Sequence, residues 1–284
     1  MTAPRSEASE LEALFEPIER RMYVSLYEVL PDSIARDCAI SWTREDRVLR
    51  LRCATADHPF FNRVMGVGAS GEALEGWLDR LVADYREQGI GRWMLQASPA
   101  ELSPELERAL TERGLVALRG WAKHAARVAE IPRTSGERRC DLRIEAIGPE
   151  NADDWASILV PAFQYPAAAA AWPAATVGGR GWHHYVAYDG DRPAACAAMF
   201  VADRIATLGF AATHESYRRR GAQSALIARR IRDARRMALD WLVTETDEDL
   251  PDKPNPSYRN IVRLGLPVRY VRSNWGPPPP AAPG

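Results

Sequence analysis

Apolar residues at Ile227, Ile231, Ala234 and Ala238 recur at helical spacing and predict a long amphipathic helix over residues 221–238. A second long helix is predicted over residues 72–88. Each runs into a short apolar strand, residues 239–244 and 91–96. Each strand leads through a loop to a short helix that stops at a Gly-Leu pair. These helices span residues 105–113 before Gly114-Leu115, and 257–264 before Gly265-Leu266. Glycine at that place suits a left-handed helix C-terminus. Both halves close with strands, residues 116–128 and 268–275. The correspondence predicts two copies of one α/β unit.

The stretch 131–137 is rich in Pro, Gly, Ser and charge, and predicts the boundary between the copies. The second half then reads as strand 142–146, helix 152–163, a further helix at 167–175 and strand 182–188. Asp189-Gly190 supplies hairpin chemistry. Strands 194–201 and 205–213 follow around a tight turn at Ala202, Asp203 and Arg204. Meandering antiparallel strands feeding a long helix predict an α+β sheet with helices on its faces. In the first half, residues 60–68 read as a strand with a structural role. The Pro-rich end, residues 277–284, is expected to be disordered.

The length of 284 residues fits two domains, and a hydrophobic share of 46% with 26% charged residues is ordinary for a globular protein. Lys+Arg of 37 against Asp+Glu of 38 speaks against binding nucleic acid through bulk positive charge. Only Lys123 and Lys253 are lysines. The four cysteines, Cys38, Cys53, Cys140 and Cys196, form no C-x-x-C pair, so neither a zinc site nor a disulfide framework is expected, and a cytoplasmic location is. His183 and His184 are adjacent, which points them to opposite faces of a strand, so no metal site is expected there. No apolar run is long enough for a membrane span.

The most informative segment joins the strand ending near Thr213 to the helix beginning at Gly221, through Arg218-Arg219-Arg220. A helix start after a glycine presents unpaired backbone N–H groups and the positive end of the helix dipole, which attract an anion such as a pyrophosphate. Gly221, lacking a Cβ, would let a phosphate approach the backbone. The alternative reading of the arginines is a solvated turn.

This segment resembles the acyl-CoA-binding motif R/Q-x-x-G-x-G/A of the GNAT (GCN5-related N-acetyltransferase) superfamily. Arg218 stands at the first position, Gly221 at the glycine and Gln223 where Gly or Ala is usual. Residues 255–266 resemble the family's helix N-x-x-A-x-x-x-Y-x-K-x-G-F. The resemblance implies two tandem GNAT-like domains, each a mixed, mostly antiparallel sheet flanked by helices. Residues 1–135 would be a degenerate copy without the CoA motif, and 136–276 the acetyltransferase domain. It implies acetyl-CoA as co-substrate, without a metal. Ala211, Ala212 and Thr213 would pair with the pantetheine arm, and Arg218, Arg219, Arg220, Gly221, Ala222 and Gln223 would cradle the pyrophosphate. The loop equivalent to the cradle in the first copy, residues 69–74, has no arginine and places Glu72 at the helix start. Only the second copy is therefore expected to bind CoA.

The implied reaction is N-acetylation of a primary amine of a small molecule, with neither nucleic acid nor membrane as partner. The oligomeric state is open, a homodimer included. The family's usual acid, a tyrosine, is replaced by Ile261, which makes Tyr258 the expected acid. Glu245 is the expected base, acting through water. Trp155, Phe163, Tyr165 and Trp172 either line an acceptor pocket or pack in the core. The arginines Arg229, Arg230, Arg232, Arg235 and Arg236 are expected on the wet face of their helix. The competing reading is a non-catalytic acyl-CoA-binding or interaction protein, motivated by Ile261 and Gln223.

Overall fold

A computed structural model describes residues 7–68, 71–133 and 139–279. The chain divides into two compact units. The first comprises the residues up to Arg20, Pro31–Trp121 and those from Val271 on; the second comprises Arg21–Leu30 and Ala122–Tyr270. The division falls inside two long strands, the 12-residue β5 (Val116–Arg127) and the 9-residue β11 (Val268–Gly276). Of the expected boundary stretch 131–137, residues 134–137 lie outside the described residues, as do residues 280–284 of the Pro-rich end.

The first unit is built from α1 (Glu7–Glu28, as far as Arg20), α2 (Asp32–Asp37), β1 (Ile40–Glu45), β2 (Val48–Cys53), β3 (Arg63–Met65), α3 (Leu74–Glu87), β4 (Met94–Ala97) and α4 (Pro104–Glu112). Strand order is β1-β2-β3-β4-β11-β5. β1–β2 and β2–β3 are antiparallel, whereas β3 and β4 are parallel and joined through α3. Trp77, Leu78, Leu81 and Tyr85 of α3 bury against Val64 and Leu95, with Leu106 and Leu110 of α4 in the same cluster.

The second unit contains β6 (Arg143–Ile147), α5 (Ala152–Ala162), β7 (Trp182–Asp189), β8 (Arg192–Ala202), β9 (Ile205–Thr213), α6 (Ala222–Arg236), β10 (Trp241–Asp247) and α7 (Pro256–Arg263). Strand order is β5-β10-β9-β8-β7-β6. Every pair from β6 to β9 is antiparallel, and β9–β10 is parallel across α6. The two units therefore share one device, a parallel β-α-β step at the end of an antiparallel meander. The short helices close alike as well. Gly114 and Gly265 have φ of +73° and +95°. Leu115 N donates to Leu110 O at 3.1 Å, and Leu266 N to Ile261 O at 3.3 Å, the long bond of a Schellman cap.

Three expectations need correction. Residues 167–175 form two 3-10 turns, Ala167–Ala169 and Pro173–Thr176, because a proline interrupts the helical run. Of residues 60–68 only Arg63–Met65 is strand. The long α1 went unread although Leu11, Phe15, Ile18, Met22 and Leu26, all buried, follow helical spacing. Its buried face also carries Glu12, Glu16 and Glu19, which blurs the apolar stripe. Arg272, buried on β11, explains two of them: its guanidinium donates to Glu16 at 3.0 Å and to Glu19 at 2.7 and 3.1 Å.

No helix among the described residues is long and apolar enough to cross a membrane. Removing one partner of a buried ion pair leaves the other charge uncompensated. Arg272→Met should therefore cost about 3–5 kcal/mol of stability by urea denaturation.

Two histidines make stability depend on pH. His184 lies between Trp155 and Trp182, with Nε2 2.9 Å from Thr176 Oγ1. Burial pushes its pKa down to about 3, and that of His124 to about 4. Both fold as neutral imidazoles, so between those values and about 6.5 the unfolded chain binds more protons. Stability falls as pH falls through that window. From pH 7 to pH 5 the loss should be about 2 kcal/mol per histidine, and His184→Gln should remove its share of the slope.

Candidate active site

The site begins where two strands part. β9 and β10 pair from Ile205/Trp241 to Leu208/Thr244 and no further, although β9 runs on to Thr213 and β10 to Asp247. Thr244 Oγ1 closes the last rung by donating to Leu208 O at 2.9 Å. On its other side β9 stays paired to β8 as far as Ala195↔Thr213, with a bulge between Cys196 and Ala198 that places Phe210 at φ +49°. Bulges bend and twist a strand. Among the described residues, no strand pairs with the β10-facing side of β9 beyond Leu208, and Ala211, Ala212 and Thr213 of that stretch face open space.

From Thr213 the chain makes a 3-10 turn (Glu215–Tyr217) capped by His214, whose Nδ1 accepts from Ser216 N at 3.3 Å. Arg219 and Gly221 are both left-handed, at φ +68° and +82°, and Gly221 is the N-cap of α6. The first-turn amides of α6 therefore start without partners. Glycine is required here for a different reason than phosphate approach. A Cβ on Gly221 would lie 2.6 Å from Arg139 O and 3.5 Å from Cys140 Cβ, so the turn packs directly on the backbone entering β6.

The parted edge and the α6 N-terminus open into one cavity of about 500 Å³. Ala211, Ala212, Thr213, Arg218, Arg219, Gly221, Ala222 and Gln223 all line it, eight of the nine residues expected to hold the co-substrate. Ala162, Phe163, Cys196 and Leu226 supply an apolar wall, and Pro256 and Asn260 close the side formed by α7. Gln223, the departure from the motif, ties the two helices together. Its Nε2 donates to Ser257 Oγ at 2.7 Å, and its Oε1 accepts from Asn260 Nδ2 at 2.6 Å. Asn255 caps α7 by accepting from Ser257 N and Tyr258 N, while its Nδ2 holds Thr246 Oγ1 and Asp247 O at the end of β10. Cys196 is fully buried, and burial pushes its thiol up to about 12, so it serves the wall as a neutral group.

Other expected residues stand elsewhere. The side chain of Arg220 does not line the cavity. It bridges Asp141 and Asp189, with its Nη1 2.9 Å from Asp189, and both carboxyls are held below their usual range by that guanidinium. Tyr258 is not among the residues that line the cavity; its ring stands edge-on to buried His124 at 4.9 Å. Glu245 is bound to Lys123 Nζ at 3.1 Å. Of the four aromatics only Phe163 reaches the cavity; Trp155, Tyr165 and Trp172 are buried in packing. The arginines of α6 are not uniformly wet. Arg230 is buried and donates to Leu226 O and Ala198 O, and Arg229 pairs with Asp233. Tyr217 lines the cavity and was missed; it lies within the quoted segment, but only the fold shows which way its turn faces.

An anion cradle of arginines and helix amides, an apolar wall and an open strand edge together suit a long ligand, anionic at one end and apolar along its length. Residues 152–252 match the family model "Acetyltransferase (GNAT) family". This segment is a GNAT acetyltransferase domain. The match contains β7 to β10, α5 and α6, and thus the parted strands and the cradle. No curated protein matches the chain. Among solved structures, a tandem GNAT protein from the clavulanic acid biosynthesis pathway is 16% identical, covers 96% of this chain and 98% of its own, and has a TM-score of 0.58. A GCN5-related N-acetyltransferase from Kribbella flavida is also 16% identical, with 92% and 95% covered and a TM-score of 0.56. A conserved protein of unknown function from Staphylococcus epidermidis is 13% identical over 85% and 96%, with a TM-score of 0.56. At these identities the likeness is one of fold. It extends over both units and agrees with a tandem GNAT architecture.

The packing around Gly221 can be tested. Left-handed backbone costs a residue with a Cβ about 1–2 kcal/mol before any clash is counted. Gly221→Ala should lower the thermal midpoint by about 2–8 °C, seen by circular dichroism.

Proposed function

We propose that the protein transfers an acetyl group from acetyl-CoA to a primary amine of a small molecule. One observation carries this reading: the residues of the acyl-CoA motif and the unpaired end of β9 line the same cavity. Acetyl-CoA supplies the acyl group, activated as a thioester. The chain's own residues do the rest. Arg218, Arg219 and the first amides of α6 hold a diphosphate, with charge-assisted bonds worth about 1.5–3 kcal/mol each. The dipole of α6 adds about 0.3–1 kcal/mol. The strand end at Ala211, Ala212 and Thr213 hydrogen-bonds a pantetheine arm and the thioester oxygen, and Ala162, Phe163 and Leu226 exclude water along its length.

The first unit repeats the β-α-β step without these features. β3 has three residues, and all three pair with β4, so no edge is left over. Glu72 lies at the start of α3 in an ion pair with Arg80. Its negative charge would repel a diphosphate. Residues 69 and 70 of that loop lie outside the described residues.

A second reading, acyl-CoA binding without turnover, is favoured by Ile261 being buried in the core and Tyr258 standing off the cavity. Calorimetry and thiol release separate the two. One CoA per chain should bind, and Arg218→Ala should weaken binding about 10- to 100-fold. Acetyl-CoA should release thiol with at least one member of a panel of primary amines. Binding without release on every amine would favour the second reading; two CoA per chain would refute the silence of the first unit.

A further inference from the structure

On the face of β9 and β10 turned away from α6, a lysine stands beside the mouth of the parted strands. Leu208 and Leu242 face α6, in one cluster with Leu226 and Ile227. Thr244 shares their face, since it is the partner of Leu208 in the last rung. The next residues along, Gly209 and Glu245, therefore point to the opposite face at the first position past the pairing. Among the described residues, a Cβ on Gly209 would meet only Met22 Sδ within 4 Å, at 4.0 Å. Glu245 thus stands at the first position past the pairing of the two strands. It is held there from β5, where Lys123 places Nζ 3.1 Å from Glu245 Oε2; the lysine side chain is 1% exposed and the glutamate's 16%.

Burying an ammonium is costly even when it is paired, and replacing such a pair by apolar residues is often neutral or stabilising. A lysine kept buried against a carboxylate at the mouth of a cleft therefore asks for a role beyond stability. We propose that Lys123 is a positioning residue, which fixes the Glu245 carboxylate over Gly209 where the acceptor's ammonium arrives. This rests on the transferase reading above. In the step it serves, the ammonium gives one proton to Glu245. The freed lone pair forms the N–C bond, and the C–S pair leaves with sulfur. A second proton from nitrogen ends on the thiol, and Glu245 returns its proton to solvent.

The test is a double-mutant cycle on the full chain, using acetyl-CoA and the amine from the panel that turns over fastest. Lys123→Met should lower kcat/KM by at least about tenfold in the unaltered background, and by less than about twofold when Glu245 is already Gln. CoA binding by calorimetry should be unchanged in both. The double variant removes both charges and should fold. If Lys123→Met does not fold alone, Lys123→Arg, which keeps the cation but displaces it, carries the same comparison. Equal losses in the two backgrounds would overturn the positioning role while leaving the transferase reading intact. Absence of turnover with every amine, CoA binding being intact, would overturn the transferase reading and this proposal with it.

Discussion

The second unit depends on the point at which β9 and β10 cease to pair. Up to Leu208 and Thr244 the strands satisfy one another, and beyond it β9 keeps only the β8 side. An unpaired strand edge inside a protein is tolerable only if something meets its backbone groups. The chain brings what the edge needs to the same place. The bulge at Phe210 turns β9, the 3-10 turn returns the chain, and α6 begins with its free amides beside the gap.

The two units show how a shared plan gains or lacks a site. Each has a parallel β-α-β step, and each closes its short helix on a left-handed glycine. They differ in overhang and charge. In the first unit β3 ends where its pairing ends, and the helix after it opens with a carboxylate. In the second, β9 outruns its partner by five residues, from Gly209 to Thr213, and the helix after it opens behind two arginines that line the cavity. The step itself is set by apolar packing of α3 or α6 on the sheet, which binding chemistry does not touch. Either copy can therefore keep the fold whatever its loop carries.

Much of this was legible in order along the chain. The helices 221–238 and 72–88, the strands between them, the Gly-Leu caps and the hairpins at Gly190 and Asp203 all come from periodicity and turn chemistry, which are local. The cavity lining was legible for the same reason: the nine expected residues lie in two short runs, 211–213 and 218–223, whose backbone course is set nearby, and eight of them line it. What order along the chain does not carry is non-local. Arg220 reads like its neighbours, yet Asp141 and Asp189 from distant turns claim its side chain. Tyr258 occupies a suitable helical position, but His124, arriving on β5, takes up its ring. The acid-bearing face of α1 gave no clean stripe because the arginine that satisfies it lies at the other end of the chain.

Sequence alone determined the repeat, the α+β character, the two runs that line the cavity and the need for glycine at 221, because each follows from residues close together in the chain. Only the tertiary structure decided why that glycine is needed, where β9 and β10 part, which arginine is already spent on carboxylates, and that Lys123 meets Glu245. Those outcomes depend on which distant strands become neighbours, and a one-dimensional pattern does not carry the distances that decide which charges pair.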